Sequence, residues 1–294
     1  MSSDPGSSFD PATHLGLVTL RVADLDAMVG FYSGGAGLEV IERSADRALL
    51  GSGGAASVEL VLRPDLGAAP RGSAGLYHTA ILYQERSDLA AAIYATATGT
   101  SGTFTGSADH LVSEAFYFDD PEGNGVELYW DRPRDQWRWT DGSVAMDTLP
   151  LDPNAFIRTH HTGADTPVAP LGAPTTLGHV HLKVGDIGTA HGFYVGALGF
   201  DVTTAMGASA LFTSAGGYHH HVGMNVWESR GAATRTESLG LARFTIVVPD
   251  GTELAATAAR LEAAGRSYES LDGQGGGLRA TDPWGTAVEV VPAQ

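Results

Sequence analysis

Short apolar segments with a period of two recur along the chain, and each is followed by signals for a helix. Val180, Leu182 and Val184 alternate with polar residues, which is the pattern of a half-buried strand. Asp186 comes next and can cap the following helix. Three more apolar segments, separated by glycine-rich turns, complete the unit. The pattern predicts a βαβββ module.

The module is repeated along the sequence. Val22 corresponds to Val184, and Glu127 corresponds to Glu289 at the same offset, so the chain consists of two similar halves. Each half contains two related units, which gives four βαβββ modules. The modules begin near Leu15, Leu76, Leu177 and Leu241.

The segments outside the repeats set the domain boundaries. We predict a disordered lead over residues 1–13, modules one and two over residues 14–132, and modules three and four over residues 177–294. Residues 133–176 form a linker that is rich in Pro, Asp, Thr and Trp. The linker should pack on the surface, with a short helix near residues 133–139.

Two motifs are typical of a known family. Phe-Tyr followed by Gly-Leu or Gly-Phe occurs in residues 31–38 and 193–200, and Asp-Pro-Glu-Gly-Asn-Gly-Val-Glu-Leu spans residues 120–128. With them the chain resembles the vicinal-oxygen-chelate superfamily of glyoxalases, bleomycin-resistance proteins and extradiol dioxygenases. Segments such as 75–82 and 214–227 resemble the catechol-2,3-dioxygenase-like group within it. The resemblance implies an α+β fold in which the modules form two open barrel-like mixed sheets with helices on the outside.

His78, Glu127 and His179 are the candidate metal ligands. Alternation puts each on the strand face that lines the cup of its sheet, where the family places its ligands. Two imidazoles and one carboxylate form a facial triad that suits Fe(II), with Mn(II) as the alternative. A single strand histidine is more often a hydrogen-bonded core residue, so the prediction depends on the three residues together.

The distribution of these ligands predicts how the modules pair. Leu17 of module one stands at the position of His179, and Arg243 or Phe244 of module four stands at the position of His78. We expect Arg243 to pair with Glu289 instead. A single metal cup within one chain therefore requires modules two and three to share a barrel. Sequential pairing of the modules would leave a metal site only across a subunit interface.

A histidine run follows in module three. Residues 218–222 are predicted to be its fourth strand, and alternation puts His219, His221 and Asn225 on the cup face. The resemblance implies that His221 is the acid/base residue, because the family carries its histidine there. A surface histidine cluster or an adventitious metal site is the alternative interpretation.

Two further residues precede Glu127. The resemblance places a histidine and a tyrosine, His110 and Tyr117 in this sequence, near the bound oxygen and the ring hydroxyl. A core tyrosine bonded to the backbone is the alternative for Tyr117. The roles of His181, His219 and Asn225 stay open.

The composition narrows the possible partners. The formal net charge of −17 argues against nucleic acid and anionic membranes as partners. The absence of cysteine excludes disulfides, thiolate metal sites and a cysteine nucleophile. No apolar run approaches the roughly 20 residues of a membrane span. The N-terminus is not typical of a signal peptide, so we expect a cytoplasmic protein.

These observations lead to one hypothesis and two alternatives. The hypothesis is an Fe(II)-dependent extradiol dioxygenase that cleaves a catechol-type aromatic diol with dioxygen, and a homo-oligomer is compatible with it. The first alternative is a glyoxalase-like isomerase or lyase, which generally needs another carboxylate in the cup. The second is a metal-free resistance protein that binds a small molecule, and it leaves the triad unexplained. The ring substituents, the native metal and the oligomeric state are not determined by the sequence.

Overall fold

The computed structural model describes residues 8–161, 163, 173–272 and 276–293, and the four modules are evident in it. Module one comprises strand β1 (His14–Val22), helix α1 (Leu25–Gly30) and strands β2 (Glu39–Arg43), β3 (Arg47–Ser52) and β4 (Ala55–Leu62). Module two comprises β5 (Gly75–Tyr83), α2 (Arg86–Gly99), β6 (Thr103–Asp109), β7 (Ser113–Asp119) and β8 (Gly125–Asp131).

The linker carries short elements of its own before the second half begins. They are a 3-10 turn (Arg134–Gln136), β9 (Trp139–Thr140), β10 (Ser143–Val144), β11 (Leu149–Pro150) and α3 (Pro153–His160). Module three comprises β12 (Thr176–Lys183), α4 (Ile187–His191), β13 (Asp201–Met206), β14 (Ala210–Ser214) and β15 (Val222–Asn225). Module four comprises β16 (Gly240–Val248), α5 (Gly251–Ala263), β17 (Tyr268–Ser270), β18 (Leu278–Thr281) and β19 (Ala287–Pro292).

The strands form two large mixed sheets. Modules two and three share a nine-stranded sheet of order β11-β6-β7-β8-β5-β12-β15-β14-β13, in which β5 and β12 are antiparallel neighbours. Modules one and four share an eight-stranded sheet of order β17-β18-β19-β16-β1-β4-β3-β2. Both sheets are open, and the helices lie on their outer faces. The predicted α+β class with two open barrel-like sheets is therefore confirmed.

The repeated motifs connect consecutive modules across the two sheets. Tyr32 of module one donates its hydroxyl to Asp120 of module two at 3.3 Å, and Tyr194 makes the same bond to Asp282 at 3.0 Å. Both carboxylates also accept backbone N–H groups of their own turns. The predicted helix cap is present too, because Asp186 accepts from the N–H of Thr189. The tyrosine and aspartate of these motifs thus connect modules, whereas Glu127, later in the same motif, belongs to the candidate site.

The predicted disordered lead is wrong for residues 8–13. Phe9 is buried, packs edge-on against Phe200 and donates its N–H to the carbonyl of Gly199. The burial of this single apolar residue anchors the segment on module three. No alternating apolar pattern surrounds Phe9, so its burial cannot be predicted from the sequence pattern. Residues 1–7 lie outside the described residues, and the boundaries at residues 14–132 and 177–294 stay predictions.

The linker contributes to the nine-stranded sheet and to its cup. Strand β11 pairs with β6, and Trp137 and Val144 form a small buried cluster with Val112 and Tyr218. The short helix expected near residues 133–139 is the 3-10 turn.

Within the described part of the chain, none of the helices has the length and apolar character that crossing a membrane requires.

Candidate metal centre

Three adjacent strands bring the predicted ligands together. β5 lies between β8 and β12, and its residue Ala80 is paired with Glu127 on one side and with His179 on the other. The small side chain of Ala80 leaves space between them, and His78 projects from the same face two residues earlier. Glu127 Oε2 lies 2.9 Å from His78 Nε2 and 3.2 Å from His179 Nε2.

The three side chains fit a metal ion. They are buried, and one potential ligand atom from each lies within 4.8 Å of the other two. His78 Nε2 is buried without a hydrogen bond, although it is close to the carboxylate of Glu127. An orphaned imidazole nitrogen beside a carboxylate and a second imidazole is what a ligand set without its ion presents.

The charge states also suit a metal. Burial alone raises the pKa of Glu127, but its interactions with the rings of His179 and His78 bring the pKa of this carboxyl well below its usual range. Burial lowers the pKa of His179 to about 4, against the opposing effect of Glu127. At neutral pH Glu127 is thus a carboxylate and His179 a neutral imidazole, the forms in which these groups bind metals.

A cavity of about 1160 Å³ opens above His78 and Glu127. Tyr77, Phe212 and Trp227 contribute aromatic rings to its wall. Alternation does not predict Tyr77 on this face together with His78. The pairing of β5 with β12 skips from His78 to Leu76, so a β-bulge turns both residues toward the cup. Tyr77 is therefore a wall residue that the sequence analysis missed.

His110 and Tyr117 lie beside the triad and contact each other. Tyr117 is close to His78, with ring centroids 5.5 Å apart, and its hydroxyl lies 2.7 Å from His110 Nε2. His110 Nδ1 donates to the backbone carbonyl of Asp147, which belongs to the linker, at 2.7 Å. A carbonyl can only accept, so the neutral imidazole carries its proton on Nδ1 and accepts the Tyr117 hydroxyl at Nε2.

The strand predicted for residues 218–222 is wrong. β15 begins only at Val222, and the amide of His221 bonds the Thr213 carbonyl while Thr213 also lies opposite Val222. His221 therefore precedes the strand, and the alternation of β15 does not extend to it. As a result His220, and not His221, lines the cavity, and its ring centroid lies 4.1 Å from that of His179.

His221 faces away from the triad. Its ring packs near Tyr218 and Phe200, and Nδ1 accepts the N–H of Ala215 at 3.2 Å. Burial and nearby histidines lower its pKa to about 3. His221 does not line the cavity, and His220 stands on the cup face where His221 was expected.

A chain of hydrogen bonds extends outward from His220. His220 Nδ1 lies 2.8 Å from His219 Nδ1, and His219 Nε2 lies 2.9 Å from Asp131 Oδ1. Asp131 also accepts the hydroxyl of Tyr218 at 2.8 Å. Burial and the neighbouring histidines hold the pKa of His220 well below its usual range, so it is neutral at physiological pH. His219, expected on the cup face, thus lies behind His220.

His181 and Asn225 form another buried pair at the cup. Their side chains are 3.0 Å apart, and the ring centroid of His181 is 4.9 Å from that of His78. Burial, followed by the nearby His78 and His179, lowers the pKa of His181 well below its usual range. His181 is therefore a neutral imidazole next to the triad.

The corresponding cup of the eight-stranded sheet is filled by ion pairs. Arg243 contacts Glu289 at 3.3 Å, as predicted, and also Glu59 at 2.7 Å. Arg47 and Arg279 complete the network by pairing with Glu59 and Glu289 respectively. Guanidinium groups stand where module two has an imidazole, so this cup has no metal ligand set among the described residues.

Comparisons with known proteins agree with this architecture. The chain matches the family described as Glyoxalase/Bleomycin resistance protein/Dioxygenase superfamily over residues 14–128 and 176–290. It is 37% identical over 283 residues to catechol-2,3-dioxygenase of Bacillus subtilis (strain 168), which covers 94% of this chain and 96% of that protein.

Solved structures share the fold at low sequence identity. Glyoxalase I from Zea mays is 18% identical with a TM-score of 0.59, covering 96% of this chain and 92% of that chain. A protein from Bacillus subtilis subsp. subtilis str. 168 is 13% identical with a TM-score of 0.66, covering 97% and 86% respectively. The chain therefore belongs to the glyoxalase/bleomycin resistance protein/dioxygenase superfamily.

Proposed function

We propose that the protein is an extradiol dioxygenase that opens the ring of a catechol-type diol, with Fe(II) as its metal and Mn(II) as the alternative. The observation that carries the proposal is the convergence of His78, Glu127 and His179, two of which, His78 and Glu127, line a cavity that also has aromatic rings in its wall. Two imidazoles and one carboxylate leave several coordination positions open. The relative from Bacillus subtilis, named catechol-2,3-dioxygenase, supports the same reaction class.

The metal ion, when bound, supplies a chelating position for two vicinal oxygens and the activation of dioxygen. The reaction would break the ring carbon–carbon bond beside the diol and add both oxygen atoms, which gives a muconic semialdehyde. The protein's task is to orient the ring. Tyr77, Phe212 and Trp227 offer flat apolar surfaces for this purpose.

His220 is the residue that we assign to proton transfer. Asp131 accepts from His219 Nε2–H, so His219 Nδ1 accepts from His220 Nδ1–H, and His220 Nε2 keeps a lone pair. That nitrogen can take the proton of a substrate hydroxyl while the Nδ1 proton moves to His219 beside the Asp131 carboxylate. Reversal of the two transfers returns the proton to the product.

His110 and Tyr117 orient each other on the opposite side of the triad. Because the Asp147 carbonyl fixes the His110 ring, the hydroxyl of Tyr117 is directed to His110 Nε2. The proposal gives this pair the role of holding the substrate or dioxygen next to His78. The Asp147 carbonyl comes from the linker, so the linker would be part of the working site.

The isomerase alternative has less support from the same geometry. Gly223 of β15 pairs with His181 of β12, just as Glu127 of β8 pairs with Ala80 of β5. Gly223 therefore occupies in module three the position that Glu127 occupies in module two, which is where a fourth ligand would stand. A Cβ atom on Gly223 would lie 3.0 Å from the His181 ring, which leaves little space for a carboxylate side chain. The metal-free binding protein would leave the buried triad without a purpose.

The partners follow from the proposed reaction. They are a small aromatic diol and dioxygen, with neither nucleic acid nor membrane, since the net charge of −17 opposes both. A cytoplasmic location belongs to the same proposal.

The experiment is anaerobic loading with Fe(II), removal of excess metal, metal analysis and then oxygen uptake on catechol. We expect bound iron and oxygen consumption that depends on catechol. A Glu127→Gln variant should lose both, whereas the matched Glu289→Gln variant, altered in the other sheet, should keep both. Bound iron without oxygen uptake on any catechol would contradict the proposal, and no metal after loading would favour the metal-free binding protein.

A further inference from the structure

We propose that His181 is a further substrate-binding residue, whose Nδ1–H donates a hydrogen bond to an oxygen of the bound aromatic diol. This inference rests on the proposed function and makes its substrate site more specific. The oxygen is one of the diol oxygens or an acceptor on a ring substituent, and the experiment below distinguishes the two.

The position of His181 places it at the cup without making it a ligand. It follows His179 by two residues on β12 and lies opposite His78 on β5. Its ring centroid is 5.1 Å from that of Tyr77 and 5.6 Å from that of Phe212, so it is part of the aromatic wall. A ring bound between these side chains would come within reach of the imidazole edge.

Two hydrogen bonds fix which nitrogen carries the proton. The backbone N–H of Trp227 donates to Asn225 Oδ1 at 3.1 Å, which determines the orientation of the amide. Asn225 Nδ2 then faces His181 Nε2 at 3.0 Å. An amide NH₂ group can only donate, so His181 Nε2 must accept and the neutral ring carries its proton on Nδ1.

The Nδ1–H donor is left for a ligand. It has no hydrogen-bond partner in the described part of the chain, and His181 lines the cavity. Gly223 makes this arrangement possible, because its missing side chain leaves room for the ring: a Cβ there would lie 3.0 Å from both Cγ and Nδ1. Asn225, Gly223 and the Trp227 amide thus position one oriented donor beside the aromatic rings of the cup.

The test begins with the tautomer in the metal-free protein. Nitrogen-15 NMR of the histidine rings should show His181 protonated on Nδ1, and an Nε2–H tautomer would overturn the proposal. Asn225→Asp keeps the shape but replaces the donor by an acceptor, so it should move the proton to Nε2. His181→Phe keeps a ring of similar size and removes the donor without adding charge.

Binding is then measured anaerobically on the Fe(II)-loaded proteins with catechol, 3-methylcatechol and 3-methoxycatechol. Both variants should bind about tenfold more weakly than the wild type. Weakening for all three ligands identifies a diol oxygen as the acceptor, and weakening for 3-methoxycatechol alone identifies the substituent.

Two results would overturn the inference. If Asn225→Asp weakens binding but His181→Phe does not, the added charge is the cause and the donor has no role. If neither variant weakens binding while the wild type binds catechol, the inference fails and the proposed function stands. Failure of the loaded wild type to bind any of the three diols would overturn both.

Discussion

Glu127 Oε2 lies 3.2 Å from Nε2 of His179, although the two residues belong to different halves of the chain. The antiparallel pairing of β5 with β12 makes this contact, so the metal centre depends on the association of modules two and three. The two tyrosine–aspartate bonds run instead within each half. The site and the repeated motifs thus connect the modules in different combinations.

The first prediction concerns the ligand set. His78→Ala and His179→Ala should each reduce bound Fe(II) from about one ion to near zero after loading and dialysis, because removal of one ligand from three leaves too few to hold the ion. Metal analysis checks this result, and the exposed His14 provides the control as His14→Ala. Full metal content in His179→Ala would show that module three supplies no ligand to the metal.

A second prediction distinguishes the two neighbouring histidines. His220→Ala should retain iron and lower kcat by a factor of about 10²–10⁴, the range typical of a lost general acid/base. His221→Ala should keep turnover near the wild-type rate, since His221 does not line the cavity. Steady-state oxygen uptake measures both. The reverse outcome would restore His221 as the acid/base residue.

The third prediction concerns Asp131. Asp131→Asn keeps an oxygen that can accept a hydrogen bond from His219, but it removes the negative charge that stabilises a protonated His219 ring. Proton transfer through His219 should therefore weaken. We expect kcat to fall about tenfold with little change in KM, because substrate binding does not involve Asp131. Tyr218→Phe is the comparison variant, because it removes the hydroxyl that bonds Asp131 and Tyr129 but keeps the Asp131 charge. An equal loss in both variants would assign Asp131 a purely structural role.

The buried histidines predict how the stability of the metal-free protein changes with pH. His221 has its pKa lowered to about 3 and His179 to about 4, from an unfolded value of 6.5. The pKa values of His181 and His220 are also lowered. Between these values and 6.5 the unfolded chain binds more protons, so the free energy of unfolding falls as pH falls through this window.

Three carboxyl groups act in the opposite direction. Burial raises the pKa of Asp120 to about 6 and also raises the pKa values of Asp119 and Asp282, so the folded state binds extra protons there and is favoured by acid. The four histidines outnumber these carboxyls, which predicts a lower Tm at pH 5 than at pH 7, measured by calorimetry with chelator present. His221→Phe should reduce the difference. A Tm that is equal or higher at pH 5 would contradict these charge states.

Within regular strands, the sequence predicted correctly which face of the sheet a residue occupies. Alternation within β12 and β8 correctly predicted the buried face of Val180 and the cup face of Glu127, because the period of two is unbroken there. The repeats also predicted the four modules. Arg243 was correctly expected to pair with Glu289, since a guanidinium at a ligand position needs a carboxylate.

Irregular backbone accounts for the errors. One extra residue at Tyr77 reverses the alternation in β5, and the strand expected over residues 218–222 begins only at Val222, so alternation does not reach His221. The hydrogen bonds of His110 to the linker and of His219 to Asp131 join segments distant in sequence. Such contacts follow from the tertiary fold and cannot be read from a local pattern.

The central claim is that the cup of modules two and three holds the metal at which a diol reacts with dioxygen. The most direct measurement is mass spectrometry of the product formed from catechol under ¹⁸O₂ by the iron-loaded protein. The proposed function predicts a ring-opened muconic semialdehyde that contains both atoms of one dioxygen molecule. A product formed without isotope, or no product from a fully iron-loaded protein, would contradict it.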